Sequence, residues 1–327
     1  MTTDVYVATG TRTALGNFGG SLKDRPMTGL SAEIVGACIE RSGASPENFD
    51  HIVFTTTCPT DKDSLFAARV VGMKGGLPAD AAALDVSRAC ASGLQAIISA
   101  GQQVATGQSQ LAIAAGAEMF SRAPFAVTTS RWGNARGHQQ LEDMLEWCYR
   151  CPFSLEYMGD TAENLAAKYG YDRSPMDEYA VQSQARALAA IESGFLARQI
   201  HPVLVPEGKS SRTFCIDESP RAGITVERLA RLAPAFQADG KVTAGNASGV
   251  TDGAAAIPVG SKESLMSAGI KPIARIVDWA VVGVEPSLMG HGPVPAIEQC
   301  LTRTGQAISD IDYFEINEAF AVVNLHV

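Results

Sequence analysis

The sequence predicts an α/β protein whose sheet is covered by helices on both faces. Three observations carry this. Short apolar runs alternate with stretches of helical character, as buried strands between packed helices do. A helix–turn–strand segment near the N-terminus returns near the C-terminus at a fixed offset. The composition, 46% hydrophobic and 19% charged over 327 residues, suits a globular chain with a large core and excludes wholesale disorder. That length corresponds to roughly two domains.

Taken in order, Asp4 to Ala8 reads as a first strand followed by a Gly-rich turn. The opening MTTDVYVATGTRTALGNFGG has no basic segment leading into an apolar one, so it does not read as a targeting signal. Leu30 to Arg41 reads as a helix, HIVFTTT (51–57) as a buried strand and Leu65 to Met73 as a helix. AALDV (82–86) and LAIAAG (111–116) read as further buried strands, with a helix from Gly93 to Thr106 between them. From Trp132 to Ala187 the pattern turns to helix and loop. There DTAENLAAKYG opens with Asp160 or Thr161 as N-cap, and Ser174-Pro175 opens a second helix that Gly194 closes. Strand-like runs return at Ala254 to Val259 and Ala274 to Val284. Polar residues or glycines interrupt every apolar stretch before the ~20 residues that span a bilayer, so no membrane segment is expected.

Displacing the chain by 262 positions lays ACIERSGASPENFDHIVFTTT on QCLTRTGQAISDIDYFEINEA without a gap. Cys38, Arg41, Gly43 and Asp50 meet Cys300, Arg303, Gly305 and Asp312, and four apolar positions also coincide. Each copy reads as helix, Gly stop, polar turn and strand, which points to two related halves. The first copy is followed by further strands. The second, with its strand at 314–317, is followed by ten residues, AFAVVNLHV among them. The repeat therefore carries the expectation that the second sheet is incomplete within this chain.

A net charge of −9 argues against a general nucleic-acid binder, in which a basic face dominates affinity. Seven cysteines at this length do not form a disulfide framework and fit a reducing, cytoplasmic setting. The close pair Cys148–Cys151 has no second ligand pair at zinc-site spacing, so no metal site is expected. His51, His138, His201, His291 and His326 stand apart from one another, and no H-E-x-x-H or G-x-S-x-G occurs.

Three segments carry chemistry. In LDVSRACASGL a strand runs through small residues into a helix, placing Cys90 near a helix N-terminus, where free N–H groups and the dipole favour a thiolate. Two readings stand: a nucleophile with backbone donors for an oxyanion, or a buried structural cysteine. In EINEAFA, Asn317 sits at a strand end, able to hold a water or carbonyl, or to cap a helix. In VTAGNASGVTDGAAA the small residues allow close approach of a ligand, although no Lys follows as in a phosphate loop. Upstream, Arg221 is available to a phosphate or carboxylate, or to neighbouring Asp217 or Glu218.

Together and in this order, SRACASGLQA, GAEMFSRAPF, YMGDTAENLAAKYGYDRSPMDEYAVQSQARA, DESPRAGITVERLARLAPAFQADGKVTAGNASGVTDGAAA, MGHGPVPA and EINEAFA resemble the thiolase family. The resemblance runs from the first strand to the last residue. It implies two related α/β halves in a layered αβαβα arrangement, with a helical and loop insertion that binds coenzyme A. The implied domains are 1–119 with 231–260 returning to it, a CoA-binding loop domain at 120–230, and 261–327 as the start of an incomplete C-terminal half. The implied activity is formation or cleavage of a 3-ketoacyl-CoA (acetoacetyl-CoA or longer), by ping-pong Claisen chemistry through an acylated cysteine. Cys90 falls on that nucleophile, and Asn317 on the residue holding the oxyanion-hole water. Arg221, Phe236, Ala244, Ser248, Ala319 and Phe320 fall on positions lining the CoA tunnel. Met158 and Met289 fall near the reacting acyl group. The implied partners are acyl-CoA and CoA as substrates, with no separate cofactor, in a homodimer or homotetramer.

Three departures stand out. Tyr157 occupies a position where many bacterial acetoacetyl-CoA thiolases carry His, which bears on acetyl-only specificity. SRAC replaces the commoner NRVC. The family's G-H-P and C-x-G motifs, which supply an oxyanion-hole His and a second acid/base Cys, do not occur in this sequence. Impaired turnover is therefore expected of the chain as given. Two other readings are a non-catalytic CoA-binding or interaction subunit completed by another chain, and a ketoacyl synthase, which NEAFA and NASGVTDGAAA disfavour.

Overall fold

In chain order the strands are β1 (Val5–Ala8), β2 (Thr11–Arg12), β3 (Gly16–Asn17), β4 (His51–Thr55), β5 (Ala82–Val86), β6 (Leu111–Met119), β7 (Phe125–Ala126), β8 (Glu142–Asp143), β9 (Val203–Glu207), β10 (Ser210–Phe214), β11 (Thr251–Ser261) and β12 (Pro272–Arg275). The helices are α1 (Met27–Ser42), α2 (Ala67–Lys74), α3 (Ser92–Ala105), α4 (Met144–Tyr149), α5 (Met158–Tyr169), α6 (Arg173–Glu192), α7 (Val226–Leu229), α8 (Lys262–Ser267), α9 (Pro293–Thr304) and α10 (Ala321–His326). They come from a computed structural model that describes residues 3–132 and 136–327. The part of the expected helix-and-loop region that falls on 133–135 lies outside the described residues.

The chain forms two compact units. The first takes Met1–Cys148, Phe195–Ser219 and Val250–Ile276, and the second Tyr149–Gly194, Pro220–Gly249 and Val277–Val327. These boundaries differ from those expected at 120, 231 and 261. The hairpin β9–β10 joins the first unit because Val203, Val205 and Phe214 are buried in its core and Arg12 pairs with Asp217 at 2.8 Å. Residues 261–276 also stay there, because β12 pairs antiparallel with β1.

In the first unit the sheet runs β12-β1-β11-β6-β4-β5, with β2 and β3 bridging to β11. β4 lies parallel to β5 and β6, while β11 lies antiparallel to β6 and β1. Alternation of side chains along β4 and β6 fills two cores. Ile52, Phe54, Ile113 and Ala115 pack with α1 and α2, whereas Val53, Ala112 and Ala114 pack with α3. Burial on both faces explains why these strands read as continuous apolar runs rather than alternating ones.

β5 corrects one expectation. It forms where AALDV predicts a strand, but Ala82 to Asp85 are exposed because the strand closes the edge of the sheet and, among the described residues, pairs with β4 alone. An apolar run does not encode how many neighbours a strand has. The runs after Ile276 and at 314–317 also differ from expectation. β12 ends at Arg275, no later ladder forms among the described residues, and Tyr313 and Phe314 are exposed. Side-chain pattern marks a segment fit for a strand, but only a hydrogen-bonded neighbour makes it one.

The two copies of the repeat share their turn. Gly43 and Gly305 end α1 and α9 at φ 75° and 68°, the left-handed region glycine adopts without steric cost. Each is followed by a one-turn 3₁₀ helix, Pro46–Asn48 or Ile308–Asp310. The Ser45 N–H donates to Asn48 Oδ1 at 3.1 Å, and the Ala307 N–H donates to Asp310 Oδ2 at 2.8 Å.

In the second unit α5 begins at Met158, one turn before the expected caps. Asp160 is its third residue and accepts the Tyr157 N–H at 3.0 Å. α6 ends at Glu192, with Gly194 just beyond at φ 70°. The core of this unit gathers Leu165 and Ala166 of α5, Met176 of α6, Val242, and Phe320 to Val323. No helix among the described residues is long and apolar enough to cross a membrane.

Candidate active site

β5 leads through Ser87 into a tight 3₁₀ turn, Ala89–Ala91, from which α3 starts directly. Ala89 has φ 44°, a left-handed conformation that costs a non-glycine residue of order 1–2 kcal/mol. The turn is over-determined by its surroundings. The Arg88 N–H donates to Ser92 Oγ at 2.7 Å and Arg88 Nε to Gln95 Oε1 at 2.8 Å, while the Ala91 N–H closes on Arg88 O at 3.0 Å. Cys90 sits at the centre of this turn and is exposed, which removes the buried-structural reading.

The thiol does not titrate as the helix end alone predicts. Although the residue is exposed, the surrounding protein partly desolvates its thiol and raises its pKa, and the charge of Glu118 adds to this, against a backbone hydrogen bond at Cys90 itself that lowers it. The expected stabilisation of a resting thiolate is thus outweighed, and the proton has to leave during reaction. Glu118, at the end of β6, accepts Thr56 Oγ1 at 2.9 Å and the N–H groups of Thr57 and Cys58 at about the same distance. It thereby fixes the loop after β4 beside the turn. Cys58 hydrogen bonds with Cys148, and burial followed by that neighbour pushes it up to about 12. All seven cysteines are free thiols.

The other expected site residues lie in the second unit. Met158, Met289, Ala247 and Ala319 pack against the core that contains Phe320. Phe236 meets Phe320 edge-on, with ring centroids 6.2 Å apart. Gly159 makes this possible, since a Cβ there would stand 2.2 Å from the Phe236 ring. Ala244 and Ser248 are exposed on the small-residue loop, which is tied to the segment before α10 from both sides. The Ser248 N–H donates to Ala319 O at 3.0 Å, and the Ala321 N–H to Asn246 O at 2.9 Å.

Asn246 holds this loop and is not singled out by the sequence. Its buried amide accepts the Thr243 N–H at 2.8 Å and donates to Asp177 Oδ1 at 2.9 Å and to Lys241 O at 3.1 Å. Asp177, 1% exposed, also takes Arg173 Nε at 2.8 Å. Glu163 performs a similar task one strand of loop away, accepting the N–H groups of Lys241 and Val242 at 2.8 and 2.7 Å. The N-A-S triplet is visible in sequence, but its partner Asp177 stands 69 positions away, beyond any local pattern.

Asn317 is exposed and does not cap a helix, because α10 starts at Ala321 with Phe320 as its N-cap. The capping reading is corrected. Neighbouring Glu318 is anchored by Tyr179 Oη at 2.8 Å and Ser183 Oγ at 2.5 Å. Arg221 is exposed, and its backbone N–H donates to Gln184 Oε1 at 2.8 Å. Asp217 and Glu218 are taken by Arg12 and by the Asn17–Ser21 turn respectively. Tyr157 receives Arg150 Nη2 on its hydroxyl at 2.5 Å.

Comparison with known proteins identifies the family of the whole chain. The family model "Thiolase, N-terminal domain" matches residues 5–263, and "Thiolase, C-terminal domain" matches 270–327. The beta-ketothiolase BktB of Cupriavidus necator is 42% identical over 322 residues, covering 98% of this chain and 82% of that protein. The mitochondrial 3-ketoacyl-CoA thiolase of Homo sapiens is 39% identical over 319 residues, covering 97% and 80%. Among solved structures, acetyl-CoA acetyltransferase of Bacillus anthracis matches with a TM-score of 0.95 at 38% identity, covering 99% of this chain and 82% of that one. Human mitochondrial 3-ketoacyl-CoA thiolase in complex with CoA matches with a TM-score of 0.93 at 37% identity, covering 99% and 81%.

Proposed function

This chain belongs to the thiolase family, and from that premise we propose that it is an acyltransferase that forms or cleaves a 3-ketoacyl-CoA through an acyl-Cys90 intermediate. The observation that carries the proposal is the Cys90 turn: an exposed cysteine residue, small neighbours and a strained residue immediately before it. The Cys90 sulfur attacks the thioester carbonyl, the acyl–sulfur bond to coenzyme A breaks, and CoA leaves as a thiol. The thiol is not ionised at rest, so its proton passes to a base as the bond forms. A second acyl-CoA, deprotonated at Cα, then forms a carbon–carbon bond to the acyl carbon; the acyl–Cys90 bond breaks, and Cys90 leaves as a thiolate that takes back a proton. The coenzyme is itself the substrate, and the chemistry calls for no metal or redox cofactor.

Asn317 is assigned the water that polarises the carbonyl, as in the family. Met158 and Met289 are assigned to the acyl group. Phe236, Phe320, Ala319, Ala244, Ser248 and Arg221 are assigned to the coenzyme. The packing of Met158, Met289, Phe236 and Phe320 around one apolar core supports their grouping. Tyr157 in place of His, together with relatives named beta-ketothiolase and 3-ketoacyl-CoA thiolase, favours acyl chains longer than acetyl alone. The exposed edge strand β5 supports assembly into a homo-oligomer, since an unprotected edge invites pairing.

Mass spectrometry after incubation with acetyl-CoA tests the central step. The folded protein is expected to gain one acetyl group on the peptide containing Cys90, and Cys90→Ser to gain none. Absence of label from Cys90 in the folded protein would sink the proposal.

A further inference from the structure

Two histidines that stand 35 positions apart meet in the second unit. His291 Nδ1 and His326 Nε2 are 2.8 Å apart. Tyr169 packs on both rings, with centroids 5.9 Å from His291 and 4.2 Å from His326, and Tyr171 meets His326 edge-on at 6.0 Å. His291 closes the short helical turn Pro286–His291, whose Leu288 departs from helical geometry at φ −125° and ψ 37°. His326 closes α10. Between them Gly290 is wedged so tightly that a Cβ would stand 2.9 Å from both Leu165 of α5 and Val323 of α10.

From this juxtaposition we infer that the His291–His326 hydrogen bond is a clasp that positions Met289 in the acyl-CoA site, and that it opens when both imidazoles are protonated. The inference rests on the reading of Met289 and Phe320 as site residues. The segment 286–291 carries Met289, and α10 follows directly from Phe320. Both enter the core that Met158 joins. Asn164 Nδ2, donating to Ser287 O at 3.2 Å, holds the start of the segment. The clasp holds its end.

A neutral pair shares one proton between ring nitrogens, and a singly charged pair does the same. Two imidazoliums present only donors to each other, so the bond is lost and like charges meet. His326 titrates below the usual imidazole range, first because it is partly buried and second because His291 faces it. The ionisable side chains stacked on the pair are Tyr169 of α5 and Tyr171 in the turn after it, with the Lys168 ammonium 5.6 Å from the Tyr169 ring; α9, which packs on the 286–291 segment, carries Glu298 and Arg303. From α6, which packs against α10, Tyr179 is engaged by Glu318. α10 and the 286–291 segment contribute no ionisable side chain besides the two histidines.

The test compares acetyl-CoA binding by calorimetry to the wild type, His326→Phe and His326→Gln between pH 7.5 and 5. Imidazole ¹⁵N spectra are recorded on the same samples. Phe keeps the ring stack and removes the hydrogen bond; Gln keeps a donor and an acceptor and cannot become charged. The coenzyme's own titration is common to all three, so ratios are read. At pH 7.5 the Phe variant is expected to bind about three- to tenfold more weakly than wild type, the range of a lost hydrogen bond. That gap should close at pH 5. Gln is expected to match wild type at pH 7.5 and to bind about three- to tenfold more tightly than it at pH 5. At each pH the limiting rate of Cys90 acylation should agree within about twofold among the three proteins, separating positioning from chemistry. Equal affinity of the Phe variant and wild type at pH 7.5, or a Gln-to-wild-type ratio that ignores pH, overturns the clasp. ¹⁵N shifts showing two independent neutral rings at pH 7.5 overturn it as well. If wild type binds no acyl-CoA, the functional reading itself fails and the clasp with it.

Discussion

Ala89 concentrates the strain of the site. A left-handed alanine is stable here because Arg88, Ser92 and Gln95 fix the turn on either side. Ala89→Gly is expected to raise stability by about 1 kcal/mol, by removing the Cβ penalty. It should also slow Cys90 acylation, because the turn becomes free to relax. Thermal melts and the acylation time course on one preparation check both. Cys90 carries a pH signature of its own: with the thiol raised, alkylation by iodoacetamide should be slow at neutral pH and still climbing above pH 9, where an ordinary thiol levels off. A plateau near pH 8 would contradict it. Gly159 is a third test, since any side chain meets the Phe236 ring. Gly159→Ala should weaken CoA binding about tenfold with little change in the limiting acylation rate, as measured by titration and by acylation at saturating substrate.

At the scale of elements, the loop 243–248 depends on Asn246 more than on its own small residues. Asn246→Ala removes the hydrogen bond to Asp177 Oδ1, leaving that carboxylate to Arg173 alone, and leaves the Thr243 N–H without its acceptor, and is expected to cost about 2–3 kcal/mol in urea unfolding. Loss of CoA affinity should accompany it. A full-strength complex from that variant would show that the loop holds itself. The same scale explains what could be read in advance. β4, β6, α1 and α3 were legible because burial on both faces writes continuous apolar runs and short helical periods into adjacent residues. The repeat was legible because glycine at the helix end and a polar turn are local devices, and Asn48 and Asp310 perform one task at equivalent positions. β5 was legible as a strand but not as an edge. The Asp177–Asn246 and His291–His326 pairs were not legible, because each joins residues whose separation follows no period. The raised Cys90 thiol escaped for a related reason: the helix end is local, but the desolvation that raises the thiol, and after it the charge of Glu118, comes from residues packed in from elsewhere in the chain.

Across the whole molecule, buried histidine makes stability fall on the acid side. His51 is buried, its Nε2 has no hydrogen-bond partner among the described residues, and burial holds it below the usual imidazole range despite the nearby charge of Asp50. Its unfolded form takes a proton first, so stability conferred by the neutral ring is complete above about pH 6.5 and declines as pH falls. His326 acts in the same direction. Glu218 adds a second loss at lower pH. Burial raises it, but Ser21, the N–H groups of Asn17 and Ser21, and Arg212 together bring it below the usual carboxylate range. Its contribution is present above about pH 4.5 and disappears beneath that value. Urea midpoints should therefore fall in two stages, with the upper one flattened in a His51→Gln, His326→Gln variant. The central place of β11 has a further consequence, one of time. Strand β1 ends at Ala8, and its neighbours in the sheet, β11 and β12, begin at Thr251 and Pro272. During synthesis at ~5–20 residues per second, β1 waits on the order of 12–50 s before a partner emerges. Once made, β6 too has one bare flank until β11 follows. A nascent chain halted before Thr251 should be cut readily by protease and held by a trigger-type chaperone, and one halted well beyond Arg275 should escape both.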